Sequence, residues 1–307
     1  MTILVTGGAG FIGSNLIEYL VNNNFNVKVL DNFSTGKKEN LISVVDNIEV
    51  IENDIRNFEI VKSVIKNVEY VFHFAALSSV PLSVSNPILA NEINITGTLN
   101  LLRASAEENV KKFIFASSSA VYGNSNNLPI AENNILKPLS PYAITKLAGE
   151  EYCKVFSKIY GLNTVSLRYF NVFGPKQNPL SEYSAVIPKF IKAMKSDNRP
   201  VIYGDGLQSR DFIYIENIID ALTKCAFKDF EPGLVMNCAC NKQTNLIMLV
   251  DYINQILGKT IKPKFENERK GDIKHSYADI SLIKNVIDFE PKIDLKEGLV
   301  KTISSIN

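Results

Sequence analysis

The chain has 307 residues, 46% of them hydrophobic and 21% charged, which supplies core enough for two domains or for one large domain with an appendage. A formal net charge of +1 gives neither sign a surplus and argues against nucleic acid or an anionic membrane as the main partner. No apolar run is long enough to span a bilayer, and MTILVTGG has no basic region ahead of its apolar residues, so a cytoplasmic location is expected.

Taken in chain order, MTILVTG, NVKVLDN, IEVIEND, VEYVFHFAA, KKFIFASSS and NTVSLRYFN are short, nearly continuous apolar runs. Each is followed by a turn and a segment of helical period. This alternation predicts an α/β fold, a doubly wound parallel Rossmann sheet. After FGPK the pattern breaks up around Pro175, Pro179, Pro188 and Pro200. Residues 1–175 are therefore read as a Rossmann domain with return segments near 212–240, and residues 176–211 and 241–307 as a smaller mixed α/β lobe. Cys153, Cys225, Cys238 and Cys240 are scattered, the last two alternating in an expected buried strand. No cysteine or histidine pair has zinc spacing, so reduced thiols and no metal are expected. Only two histidines, His73 and His275, are present, a poor supply for imidazole chemistry.

TGGAGFIGS, Thr6 to Ser14, closes the first expected strand and opens a helix. Gly7, Gly10 and Gly13 suit a turn that needs φ > 0 and lets backbone approach a pyrophosphate at a helix N-terminus. Asp31 ends the next strand eighteen residues after Gly13. A carboxylate there accepts hydrogen bonds from a ribose 2′-hydroxyl and repels a 2′-phosphate, favouring NAD over NADP. Lys37 and Lys38 read as solvated loop charges. Asp54 and Ile55, after the third strand, are placed to reach the adenine, although Asp54 reads equally well as a helix cap. Further on, SPYAITK begins a helix, with Ser140 as N-cap, Pro141 at the first position, and Tyr142 and Lys146 one turn apart on one face.

With the glycine loop, Asp31, Asp54-Ile55, Phe74-Ala75-Ala76, Asn94, the serine run and Tyr142/Lys146 in this order, the whole chain resembles the extended short-chain dehydrogenase/reductases. RYFNVFGP, YGDGLQSRDFIYIENI and RKGDIKHSYAD make it most similar to the nucleotide-sugar 4-epimerases within that family. The resemblance implies NAD held by Gly7, Gly10, Phe11, Ile12, Gly13, Asp31, Asn32, Ser34, Gly36, Asp54, Ile55, Phe74, Ala75, Ala76, Asn94, Ser117, Tyr142, Lys146 and Tyr169.

It also implies Ser118, Tyr142 and Lys146 as the catalytic residues, with Ser117 and Ser119 supporting and a one-residue slip the alternative. Free tyrosine is a poor base at neutral pH, so the adjacent ammonium and a positive nicotinamide ring are expected to lower the Tyr142 pKa. Dehydratases of this kind follow the catalytic Ser/Thr with Asp-Glu, whereas this chain has Ser119 and Ala120. With no further acid or base, the 4-keto intermediate takes its hydride back, and return to the opposite face gives the 4-epimer.

For the substrate, the resemblance implies Arg210 and Arg269 on the diphosphate, Asp272 on the ribose, Tyr203 on the uracil, and Asn171, Ala185 and Val186 framing the nucleotide. UDP is favoured over dTDP. Ser276 stands where enzymes restricted to glucose and galactose carry tyrosine. With Ser78, Ser79, Ser83 and Gln177, it points to UDP-GlcNAc/UDP-GalNAc, with UDP-Glc/UDP-Gal also turned over. UDP-glucose-only or UDP-glucuronate epimerisation, an enzyme that releases NADH, and a non-catalytic NAD-binding protein are the competing readings. A homodimer is expected through the helices around Asn91–Asn109 and Tyr142–Tyr160, paired as a four-helix bundle.

Overall fold

Strand β1 (Thr2–Thr6) buries Ile3, Leu4 and Val5 completely, as a central parallel strand covered on both faces must. In the computed structural model of the chain, residues 1–125, 127–178, 186–268 and 273–306 are described. They fall into two units, one of Met1–Gly123, Leu136–Tyr169 and Ile219–Met236, the other of Asn124–Ile135, Phe170–Ile218 and Asn237–Asn307.

In the first unit β1 leads through α1 (Phe11–Asn22) to β2 (Asn26–Asp31) and β3 (Ile48–Glu52), then through α2 (Phe58–Val64) to β4 (Tyr70–His73). Helices α3 (Val80–Ser85), α4 (Pro87–Asn91) and α5 (Gly97–Glu107) follow, then β5 (Lys112–Ser118), α6 (Pro141–Tyr160) and β6 (Thr164–Tyr169). Between α4 and α5, Glu92–Thr96 form a wider π-helical turn. The helix expected around Asn91–Asn109 thus lies within residues 87–107, and α6 begins one residue before Tyr142.

The sheet has seven strands in the order Leu234–Cys238, β6, β5, β4, β1, β2, β3, with β1 to β6 parallel. The strand order therefore reverses between β1 and β4, and ligands of open α/β sheets bind beyond the carboxyl ends of strands at such a point. Leu4, Leu30, Val71, Phe113 and Phe115 meet Leu101, Cys153 and Phe156 from the helices in the core on one face.

In the second unit, Ser209–Arg210 lies between Thr244–Asn245 (antiparallel) and His275–Ser276 (parallel). Two small parallel pairs, Asn171–Phe173 with Phe212–Tyr214 and Val201–Tyr203 with Lys264–Glu266, complete its strands. Helix Leu295–Ser305 rests on Phe173 and Tyr214 through Gly298, where an added Cβ would come within 2.8 Å of either ring. The alternation expected of Cys238 and Cys240 is cut short, because the strand ends at Cys238 and Cys240 follows it. No helix among the described residues is long and apolar enough to cross a membrane.

Candidate active site

The glycine loop is shaped by crowding. Gly7 has φ +68°, and a Cβ there would lie 2.6 Å from the Ala75 nitrogen, so the loop after β1 rests on the backbone after β4. At Gly13 a Cβ would meet the Gly7 carbonyl oxygen at 2.5 Å. Gly10 is the N-cap of α1 and brings no side-chain cap, which leaves the first-turn amides of Phe11, Ile12 and Gly13 for an outside acceptor. A tight loop with an uncapped helix N-terminus fits the pyrophosphate of a dinucleotide.

Asp31 pins this loop. Its Oδ2 accepts the Ala9 N–H at 2.8 Å and its Oδ1 the Phe33 N–H at 2.8 Å. Burial raises its pKa while the two amides oppose the rise. Gly36 packs against the same place, 2.8 Å from the Ala9 Cβ if it carried one of its own. Asn32 donates to Asp54 at 2.8 Å and accepts the Ser34 N–H at 3.0 Å. The Asp54 carboxylate also receives the Arg56 guanidinium, which holds its pKa below the usual range. Asp54 caps no helix, because Asn57 is the N-cap of α2. Ile55 turns its side chain into the core against Gly97, which leaves only its backbone to meet a ligand. Phe74, Ala75 and Ala76 are half-buried at the end of β4.

Helix α6 starts as its sequence indicates, with Ser140 accepting the Ala143 N–H at 3.2 Å and Pro141 in the first turn. Gly149 lets it approach β5 so closely that a Cβ would overlap the Phe115 ring. This sets Lys146 against the sheet. Its Nζ donates to the Ala116 carbonyl at 2.7 Å and stands 5.9 Å from the centre of the Tyr142 ring. Burial pushes the Lys146 pKa down to about 8, and the Glu150 charge opposes that fall. Burial raises the Tyr142 pKa, and the neighbouring Ser118 hydroxyl opposes the rise. Desolvation thus works against the lowering that the ammonium and the nicotinamide ring are expected to bring.

The serine run separates cleanly. Ser117 turns inward and donates to Glu150, while the Ser118 oxygen accepts the Ala120 N–H at 3.2 Å and meets Tyr142. We expect Ser118→Ala to lose about a hundredfold in kcat and Ser119→Ala only a few-fold; the reverse order in steady-state rates would show that the register was misassigned. Tyr169, beside Ser118 in the β5–β6 register, is buried. Asn94 is buried too, with its amide directed at Leu77 and Thr145. Ser78 is exposed, and Ser79 caps α3. Ser83 is fully buried and accepts the Tyr142 N–H at 3.1 Å.

The sequence reading passed over a buried group beneath these residues. Glu150 takes the Arg168 guanidinium on both oxygens at 2.9 and 2.7 Å, and Arg168 also donates to the Tyr122 hydroxyl at 2.8 Å. An arginine inside the apolar run NTVSLRYFN was the available signal, since a buried charge demands a partner.

In the second unit, Ser276 is buried and pairs in register with Arg210, whose Nη1 donates to the Ser209 and Lys274 carbonyls at 2.9 and 3.4 Å. The neighbouring Asp211 is fully buried and accepts the amides of Cys240 and Ala278, with burial raising its pKa to about 6. Tyr203 ends its strand and lines a small pocket with Gly204, Asp205, Gln208 and Lys274. Asn171 opens its strand, Gln177 donates to the Val172 carbonyl at 3.2 Å, and Val186 begins the helix Val186–Lys195. Ala185, Arg269 and Asp272 lie outside the described residues.

Residues 3–239 match the model of the NAD dependent epimerase/dehydratase family. The chain belongs to that family. NAD is accordingly its cofactor, and the glycine loop, the uncapped α1 and Asp31 fit it. The chain is 45% identical to a UDP-N-acetylglucosamine 4-epimerase from Methanobrevibacter ruminantium M1, solved in complex with UDP-N-acetylmuramic acid; 99% of this chain and 97% of that one are covered, with a TM-score of 0.95. A UDP-glucose 4-epimerase from Thermotoga maritima, solved with UDP-glucose, is 37% identical over 99% and 98% of the two chains, with a TM-score of 0.94. A putative UDP-glucose 4-epimerase of Methanocaldococcus jannaschii is 39% identical over 98% of this chain and 97% of its own length.

Proposed function

We propose that this epimerase inverts C4 of a UDP-hexose and that UDP-GlcNAc and UDP-GalNAc are its preferred pair. The observation that carries the reading is the Ser118 hydroxyl beside the buried Tyr142 phenol, with Lys146 one turn further along α6 and anchored on the Ala116 carbonyl. Ser118 relays the proton of the C4 hydroxyl, Tyr142 takes and returns it, and the Lys146 ammonium favours the phenolate. When bound, NAD supplies the reversible hydride acceptor. Ser119 and Ala120 contribute no acid or base for elimination, so the residues support epimerisation over dehydration. A non-catalytic NAD-binding protein should lack one of Ser118, Tyr142 and Lys146, and the chain has all three.

We assign Asn171, Gln177, Val186, Tyr203, Arg210 and Ser276, with Ala185, Arg269 and Asp272, to the nucleotide sugar. The preference for acetylated sugars rests on the small Ser276 and on the similarity to the Methanobrevibacter enzyme; the names of the Thermotoga and Methanocaldococcus proteins favour UDP-glucose as a second reading. Product assays on UDP-Glc, UDP-GlcNAc and UDP-GlcA decide between them. A tyrosine ring at position 276 would fill the room of an N-acetyl group and leave a plain hydroxyl undisturbed. Ser276→Tyr should therefore lower the UDP-GlcNAc/UDP-Glc ratio of kcat/KM by about a hundredfold. An unmoved ratio would remove Ser276 from the pocket for the 2-substituent.

We further propose a cytoplasmic homodimer. Ile144, Tyr152, Val155 and Ile159 form an exposed apolar stripe on α6, and Leu82, Val84 and Ile88 are exposed on α3 and α4. Light scattering at micromolar concentration should give twice the chain mass; the mass of a single chain would rule the dimer out.

A further inference from the structure

We infer that two runs of directed hydrogen bonds, joined through Asn94, lead from the glycine-loop strand by way of a neutral His73, protonated on Nε2, to the backbone of Tyr142, making Thr6, His73, Thr98, Asn94 and Thr145 positioning residues. The inference rests on Tyr142 being the catalytic phenol.

Direction follows from counting protons. Thr98 Oγ1 donates its one proton to the backbone carbonyl of Asn94 at 2.6 Å. It stands 2.8 Å from His73 Nε2, so the ring must be the donor there. In a neutral imidazole Nδ1 is then an acceptor, and the Thr6 hydroxyl, 2.7 Å away, donates to it. The Thr6 oxygen in turn accepts the Ala75 N–H at 3.4 Å. The opposite tautomer would set the Nε2 lone pair against an oxygen with no proton to give.

The first run ends on the Asn94 backbone, and the Asn94 side chain begins the second. Its Oδ1 accepts the Leu77 N–H at 2.8 Å, and its Nδ2 donates to the Leu77 carbonyl at 3.1 Å and to Thr145 Oγ1 at 2.9 Å. The Thr145 hydroxyl donates to the Tyr142 carbonyl at 2.8 Å, while Ser83 holds the Tyr142 N–H. Thr6, His73, Thr98, Asn94, Thr145 and Ser83 are all buried, and every bond has a defined donor.

The groups around the imidazole keep it neutral. Its ring packs between Phe113 and Phe115, with centroids 5.8 and 5.7 Å away, and the Lys146 charge repels a second proton. Burial is the larger cause, and the pKa is pushed down to about 3. His73 is thus a strut between the end of β1, where the cradle begins, and the π-helical turn that holds α6. It is not an acid or base in turnover.

With two histidines in the chain, [15N]histidine labelling of the whole protein gives a simple spectrum, and His275→Gln identifies the second signal. His73 should show an unprotonated Nδ1 and a protonated Nε2, unchanged from pH 5 to pH 9. The opposite tautomer, or titration near the ordinary histidine value, would overturn the assignment. For positioning, Thr98→Val should lower kcat about tenfold with KM for UDP-GlcNAc within about twofold, and Thr98→Ser should restore most of it. Equal losses in both variants would mean packing alone, and an unchanged kcat in the valine variant would end the positioning role. Should Thr98→Val fail to fold, Thr145→Val and Thr145→Ser carry the same comparison. If Tyr142→Phe kept its activity, the catalytic assignment would fall while the tautomer result stood.

Discussion

Tyr142→Phe should fold like the parent protein, bind NAD, and lose about a thousandfold in kcat on UDP-GlcNAc. The substitution removes one oxygen and leaves the rest of the residue held as before. The Tyr142 N–H stays on Ser83, its carbonyl stays on Thr145, and Ser140 still caps α6. The hydroxyl's neighbour is Ser118, and even a neutral hydrogen bond between them would be worth only about 1 kcal/mol. Thermal unfolding should therefore move little while turnover collapses. Burial raises the phenol pKa, so the proposed mechanism relies on nearby positive charge to favour the phenolate that accepts the substrate's proton. Steady-state rates and a melting curve are the measurements. Turnover within a few-fold of wild type would remove Tyr142 from the chemistry.

The sequence made the cradle legible because its constraints are local. Gly7 answers the positive φ of its own turn, Gly13 a steric limit set by Gly7 and Gly8, and Ser140-Pro141 writes a helix start in two letters. The order of the apolar runs likewise predicts the parallel sheet. What escaped reading depends on residues far apart in the chain meeting across the sheet. Glu150 looks like an ordinary helix surface charge until Arg168, eighteen residues on, is found buried beside it. Asn94 and Ser83 belong to motifs the resemblance ties to ligands, yet in the fold Asn94 bonds the Leu77 backbone and the Thr145 hydroxyl while Ser83 accepts the Tyr142 N–H. Spacing likewise places the ammonium one turn from the phenol but says nothing of the desolvation that opposes it. Substrate choice is the least legible, since on the proposed reading it turns on side-chain volumes in short strands such as His275–Ser276.

Glu150→Ala should be the most destabilising single change near the site, costing about 3–5 kcal/mol, because it leaves a buried guanidinium without its carboxylate. Ser117 would lose its acceptor at the same time. Electrostatics gives a second, separable effect. Burial lowers the Lys146 pKa to about 8 and Glu150 resists that fall, so removing the negative charge lowers it further. Activity that needs the ammonium is present below this pKa and lost above it, so the alkaline limb of kcat/KM should move to lower pH. Glu150→Gln isolates the charge from the volume, since the amide oxygen can still receive Ser117. Pairing Glu150→Gln with Arg168→Met removes the stranded cation, and should recover part of the stability lost in Glu150→Gln. The shifted alkaline limb should persist in that double variant only if Glu150 acts on Lys146 directly. A limb that returns with the stability would mean the pair serves the fold alone.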